Sequence, residues 1–175
     1  MILFLIGARG SGKTTVGRAL AEKLGWKAVD LDEEIVRRER KSISEIVASA
    51  GWDKFRDLES EALRAVVGED SHRIVSTGGG AILREENRAF MRENGVVVWL
   101  KASPRVLSAR LSANPMDEQR PALTDLALEE EIRDILRARE PLYAECAERV
   151  ADAELEAEQI CENIASLCDL RREDQ

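Results

Sequence analysis

The sequence predicts an α/β fold in which five short parallel strands are wrapped by helices on both faces. Three observations carry this. Five apolar, β-prone runs alternate with helical patterns along the chain. The first run, Met1 to Ile6, leads directly into Gly7-Ala8-Arg9-Gly10-Ser11-Gly12-Lys13-Thr14-Thr15, which fits the phosphate-binding pattern G-x-x-x-x-G-K-[ST]. Behind it, Val16, Leu20 and Leu24 recur every fourth residue, the apolar stripe of a helix.

Strand, glycine loop and helix give that motif its physical meaning. Glycines let the backbone turn N–H groups toward phosphate oxygens. The helix behind adds unpaired N–H groups and the positive end of its dipole. Gly10, Ser11, Gly12, Lys13, Thr14 and Thr15 are therefore the expected nucleotide-binding residues. Lys13 is expected to reach the β- and γ-phosphates, and the Thr14 hydroxyl to serve Mg²⁺.

The remaining elements follow in order. Lys27 to Asp30 reads as a second strand after a helix stop at Gly25. Alternation puts Asp30 and Asp32 on one side at its C-terminal end, the edge that carries ligands in parallel sheets. Glu33 to Arg40 reads as a charged helix. Ser42 with Glu45 forms a capping box for the next, Gly51 breaks it, and Trp52 to Val67 continues as another. Residues 31–67 thus hold helices and no strand, a helical excursion from the α/β core. Arg73 to Ser76 is a buried-type strand ending in Thr77-Gly78-Gly79-Gly80. Arg84 to Glu93 is helical, and Gly95 to Leu100 is the most strand-like stretch. Ser103-Pro104 opens a helix to about Leu111. Asn114 to Asp125, with two prolines, reads as a mobile loop. Leu128 to Glu145 is a long helix that Pro141 is expected to kink or interrupt. Arg149 to Asp152 is a short fifth strand, and Glu154 to Leu170 a final helix.

Composition bounds the function classes. The chain has 175 residues, the size of one domain, with 44% hydrophobic and 34% charged residues. A net charge of −8 argues against general nucleic-acid or anionic-membrane binding. Individual arginines in such an acidic protein become informative. No apolar run has transmembrane length, and Met1 to Ile6 lacks the features of a signal sequence. A cytoplasmic protein is expected. Cys146, Cys161 and Cys168 are odd in number and form no C-x-x-C, which argues against disulfides and zinc. The single histidine, His72, is expected at a strand edge.

The motif names a nucleotide, not a reaction. The Asn-Lys-x-Asp signature of GTP switches is absent, and the strand before Thr77 lacks the usual magnesium-holding Asp. Asp30 is the substitute, acting on the metal directly or through water. A Gly triplet at a strand's end lets a ligand approach backbone N–H groups. Taken singly, other residues have plainer readings. Asp30 and Asp32 could be helix caps. Arg56 and Glu59 could be a helix-surface pair. Arg139, beside Arg133 and Arg137, reads as a solvent-facing position; Trp52 and Phe55 could line an acceptor pocket, but read first as core.

The series is more specific than its parts. Gly7-x-x-Gly-x-Gly-Lys-Thr-Thr-Val-Gly17 is followed by Asp30-Leu-Asp32, Phe55-Arg56-x-x-Glu59 and Thr77-Gly-Gly-Gly80. Arg120-Pro121-x-Leu123-Thr124 and Arg139-x-x-x-Tyr143 complete it. In this order and spacing the chain, to about residue 152, resembles the shikimate kinases, within the nucleoside monophosphate kinase-like P-loop fold. The resemblance implies a three-layer P-loop kinase domain over residues 1–175. It carries a helical substrate-binding insertion (about 31–67) and a mobile lid (about 112–125). It implies phosphorylation of the 3-hydroxyl of shikimate by ATP with Mg²⁺, by a monomer. It gives Asp32 the acceptor hydroxyls, and Arg56 and Arg139 the carboxylate. Gly78, Gly79 and Gly80 supply backbone contacts, Thr14 and Asp30 serve the metal, and Glu59 orients Arg56. Arg120 reaches the ATP phosphates from the lid, and Arg110 lies near the adenine. Lys13, Asp32 and Arg120 are the implied catalytic residues. Two other readings stay open. One is a related kinase for gluconate or nucleoside monophosphates; the other is a non-catalytic nucleotide-dependent regulatory module. The paired arginines favour a small carboxylate acceptor.

Overall fold

Period-two alternation in the first strand sorts the molecule into layers. In β1 (Ile2–Ile6) every residue is buried. Ile2, Phe4 and Ile6 face one hydrophobic cluster, and Leu3 and Leu5 face the other. Only a strand covered on both faces is apolar at every position. The computed structural model describes residues 1–67, 72–113 and 125–170.

The other strands are β2 (Lys27–Asp30), β3 (Arg73–Ser76), β4 (Val96–Lys101) and β5 (Arg149–Asp152). All pair in parallel in the order β2-β3-β1-β4-β5. The helices are α1 (Lys13–Leu24), α2 (Leu31–Glu39), α3 (Ile43–Ala65), α4 (Glu85–Asn94), α5 (Pro104–Ala113), α6 (Asp125–Cys146) and α7 (Ala157–Leu167). A short 3₁₀ turn spans Ala81–Leu83. Helices α1 and α7 cover the face of Leu3 and Leu5. Helices α2, α3 and α4 cover the opposite face. Helix α6 serves both layers: Ile132 and Leu136 pack in one cluster, Tyr143 and Cys146 in the other.

The expected α/β fold is found, with several local corrections. Asp32 is not on a strand. β2 stops at Asp30, which becomes the N-cap of α2, so helical geometry rather than alternation sets where Asp32 points. Ser42 and Glu45 form the expected capping box, and Gly51, non-helical at φ 82°, breaks the helix as expected, so α3 is two helical segments joined across a kink. α6 runs through Pro141 uninterrupted. α7 is shorter than expected at both ends. Ser112 and Ala113, read as the start of the lid, belong to α5. The rest of that segment to residue 124, Arg120 included, lies outside the described residues. Trp52, read as core, is 52% exposed, while Phe55 is buried. His72 sits one residue before β3, edge-on to Trp26. The three cysteines are free; Cys146 and Cys161 are buried and Cys168 is half-buried.

Parallel pairing sends the C-terminal ends of all five strands to one edge of the sheet. The loop after β1, Asp30 after β2 and the Gly triplet after β3 therefore share one crevice.

Candidate active site

The glycine-loop end of the crevice is built by glycine conformation. Gly10 and Gly12 adopt φ of 83° and 90°, open to glycine and costly for other residues. Gly12 is the N-cap of α1; it offers no capping side chain, and the first turn holds no acid. The N–H groups at that helix end are left for an anionic ligand. Lys13 is buried and folds back onto the loop, donating to the carbonyls of Gly7 and Ala8 at 2.9 Å each. Burial pulls its ammonium down to about 8, while Asp32 and Asp30 hold it up. Ser11 Oγ is buried with no partner, and Thr15 is exposed. Arg110 donates to Gly10 O at 3.4 Å and Ala153 O at 2.7 Å, spanning the loops after β1 and β5.

Asp30 ties three elements together. Its Oδ1 accepts from the N–H groups of Asp32 (3.0 Å) and Glu33 (3.2 Å), and its Oδ2 accepts from the Thr14 hydroxyl at 2.6 Å. It is a helix cap, as its plainer reading has it, and a partner of Thr14 at once. Thr14 and Asp30 set two hard oxygens side by side beside the phosphate loop. Such a donor set suits Mg²⁺, which takes one or two protein oxygens and completes its shell with water and phosphate.

The other end of the crevice converges on Gly78, Gly79 and Gly80. Their φ values are not positive, so glycine is needed here for close approach and not for backbone shape. A Cβ on Gly80 would collide with the Arg56 guanidinium. One on Gly78 would collide with Glu59 Oε1 and come within 3.0 Å of Asp32 Oδ1. The triplet is thus a floor on which three charged side chains rest. Glu59, fully buried, accepts from Arg56 Nη1 at 2.6 Å. Burial raises its carboxyl against the opposing charge of Arg56. Arg56 also lies 5.4 Å above the Trp52 ring and 5.3 Å from that of Phe55, within cation–π range.

Asp32 Oδ1 and Glu59 Oε1 are both buried without partners. Buried acceptors left open in this way are places for a ligand's donors. Burial, with Asp30 and Glu59 nearby, pushes the Asp32 carboxyl up to about 6, while Lys13 and Arg56 oppose the shift. From the other side, Arg139 is half-buried and donates to Gly79 O at 3.2 Å. That places it in the crevice, not in solvent as its arginine-rich surroundings suggested. Tyr143 donates to the same carbonyl at 2.7 Å.

The structure therefore brings Lys13, Thr14, Asp30, Asp32, Arg56, Gly78, Gly79, Gly80 and Arg139 to one crevice. The contact of Tyr143 with Gly79 was not read from the sequence. Its place four residues after Arg139, on the same helical face, is the signal that could have found it. The cation–π support of Arg56 by Trp52 had no sequence signal, because a tryptophan reads first as core.

Chains of related sequence share this architecture. A family model described as shikimate kinase matches residues 9–169. Shikimate kinase 2 of Yersinia enterocolitica is 48% identical over 162 residues, covering 93% of this chain and 92% of that protein. Shikimate kinase of Nitratidesulfovibrio vulgaris is 48% identical over 94% of each chain. Among solved structures, shikimate kinase from Acinetobacter baumannii in complex with shikimate superposes with a TM-score of 0.85 at 34% identity. It covers 95% of this chain and 92% of that one. The enzyme from Bacteroides thetaiotaomicron gives 0.87 at 33% identity, over 97% and 99%. The matched span runs from the phosphate loop to α7 and takes in both ends of the crevice, so this chain is a kinase of the shikimate kinase family.

Proposed function

We propose that the chain transfers the γ-phosphoryl group of ATP to the 3-hydroxyl of shikimate, giving shikimate 3-phosphate and ADP in aromatic amino-acid biosynthesis. One observation carries the acceptor. Arg56 from α3 and Arg139 from α6 converge on the Gly triplet beside the open carboxylate of Asp32. Two guanidinium groups suit a planar carboxylate. An unpartnered, partly desolvated carboxylate suits a hydroxyl that must lose a proton. Shikimate presents both groups on one ring.

In this reading Gly10 to Thr15 hold the phosphates and Arg110 lies toward the nucleoside. Lys13 exchanges its bonds to Gly7 and Ala8 for phosphate oxygens and stabilises the charge on the transferring group. Asp32 orients the attacking 3-hydroxyl and takes its proton. Arg120, outside the described residues, keeps the lid role implied by resemblance. Mg²⁺, when bound beside Thr14 and Asp30, neutralises charge on the phosphates. The reading keeps the expectation of a monomer, and the need for ATP fits the cytoplasm. Among the described residues no helix is long and apolar enough to cross a membrane.

The test is ATP-to-ADP turnover with shikimate, gluconate and nucleoside monophosphates as acceptors, with and without Mg²⁺. Turnover that depends on shikimate and Mg²⁺ is expected. Absence of shikimate-dependent turnover overturns the reading.

A further inference from the structure

Arg139 and Tyr143 lie four residues apart on α6, and both donate to the Gly79 carbonyl. The function proposed above employs Arg139 at the acceptor's carboxylate and leaves Tyr143 without a role. Yet Tyr143 is fully buried, and its ring stacks on Trp99 with centroids 5.6 Å apart. Burial pushes its hydroxyl up to about 12, so it keeps the proton it donates.

The Gly79 carbonyl and the Gly80 N–H belong to one planar peptide unit. Holding the carbonyl aims the N–H. Among the described residues, no hydrogen bond takes up the Gly80 N–H. The Arg56 guanidinium lies directly against Gly80. The peptide that Tyr143 holds therefore sets the direction of a free donor and the floor beneath Arg56. A carboxylate is a stronger acceptor than a carbonyl, so an arriving acceptor draws Arg139 off Gly79. The Tyr143 hydroxyl also meets the Arg139 side chain, but it has no place at the carboxylate in the function proposed above and stays on Gly79.

We propose that Tyr143 is a positioning residue for the acceptor. Its hydroxyl is the standing donor to Gly79, and it holds the Gly79–Gly80 peptide in place when Arg139 exchanges its Gly79 bond for the acceptor's carboxylate. The exchange rests on the acceptor role given to Arg139 above; the holding of the peptide does not.

Tyr143→Phe removes the hydroxyl and keeps the ring and its stack on Trp99. The expected result is a rise of roughly five- to tenfold in KM for shikimate, the size of one hydrogen bond, with KM for ATP within about twofold. The Gly80 amide resonance should move in a ¹H–¹⁵N spectrum while those of Gly10 and Gly12 stay. An unchanged KM for shikimate, or equal rises in both KM values, overturns the proposal. So does failure of the variant to fold, since the hydroxyl would then support the core and not the loop. If the wild-type chain does not phosphorylate shikimate, the function falls separately. The Gly80 resonance still decides the positioning role: if it does not move in Tyr143→Phe, the role is refuted.

Discussion

The Thr14 hydroxyl donates to Asp30 Oδ2 at 2.6 Å, while Asp30 Oδ1 caps α2 through the N–H groups of Asp32 and Glu33. One carboxylate thereby joins the first turn of α1, the end of β2 and the start of α2. The two functions of Asp30 can be separated by mutation. Asp30→Ala loses both and should lower unfolding free energy by about 1–2 kcal/mol, the cost of an N-cap. Asp30→Asn keeps the cap and should stay within roughly 0.5 kcal/mol of wild type, but need more Mg²⁺ for half-maximal activity. Urea titration and a Mg²⁺ titration of turnover measure the two effects. An Asn variant with an unaltered Mg²⁺ requirement would remove Asp30 from the metal.

Asp32 should trade stability for activity. Its carboxyl is raised to about 6 in the folded protein, chiefly by burial. Between the ordinary carboxylate value and about 6, the folded chain holds a proton that the unfolded chain has released. Stability therefore falls as pH rises through that window, and the loss is complete above it. Asp32→Asn has no such ionisation. It should be more stable than wild type by about 1–3 kcal/mol at pH 7.5, with the advantage vanishing near pH 3. Its turnover should fall by roughly a hundredfold or more, and wild-type kcat/KM should decline below about pH 6. A stability difference independent of pH would contradict this account.

Arg56→Lys keeps the charge but loses the planar fork that meets Glu59 and a carboxylate. Glu59 is fully buried, so a poorer partner is felt. The expected change is a rise of about ten- to a hundredfold in KM for the acceptor, with KM for ATP little altered. Steady-state kinetics with each substrate varied in turn decide it. An unchanged acceptor KM would show that the guanidinium does not meet the substrate.

The Gly triplet gives an ordered prediction. A methyl on Gly80 displaces the end of the Arg56 side chain, and one on Gly78 displaces Glu59, whereas one on Gly79 meets its nearest atom at 3.3 Å. None of the three has a positive φ, so alanine brings crowding and not backbone strain. Gly80→Ala and Gly78→Ala should fold yet lose about tenfold or more in acceptor affinity. Gly79→Ala should lose least. Calorimetric titration of the acceptor measures the order, and a Gly79 variant more damaged than Gly80 would refute the crowding argument.

Much of the molecule was legible in the residues because its signals are local. The alternation of β1, the stripe of Val16, Leu20 and Leu24, and the Ser42–Glu45 capping box each depend on neighbours within a few positions. So does the phosphate loop, whose glycines and lysine act through one strand, one turn and one helix. Resemblance to a known family ordered the more distant residues and gave them roles, but local pattern did not show how they touch.

Those contacts were decided by tertiary structure. Asp30 acts as cap and loop partner together because β2 ends where α2 begins, beside α1. The Gly triplet needs glycine because Glu59 and Arg56, about 19 and 24 residues earlier in the chain than the glycines they meet, are folded onto it. Arg139 looked solvent-facing beside Arg133 and Arg137, yet α6 turns it and Tyr143 toward Gly79, sixty-odd residues away. By itself the sequence determined the layers of the fold and the glycine loop whose N–H groups are left open at the start of α1, since short-range periodicity and glycine geometry suffice for both. The Gly-triplet end of the crevice exists only once distant segments pack, because its geometry lies in contacts between them.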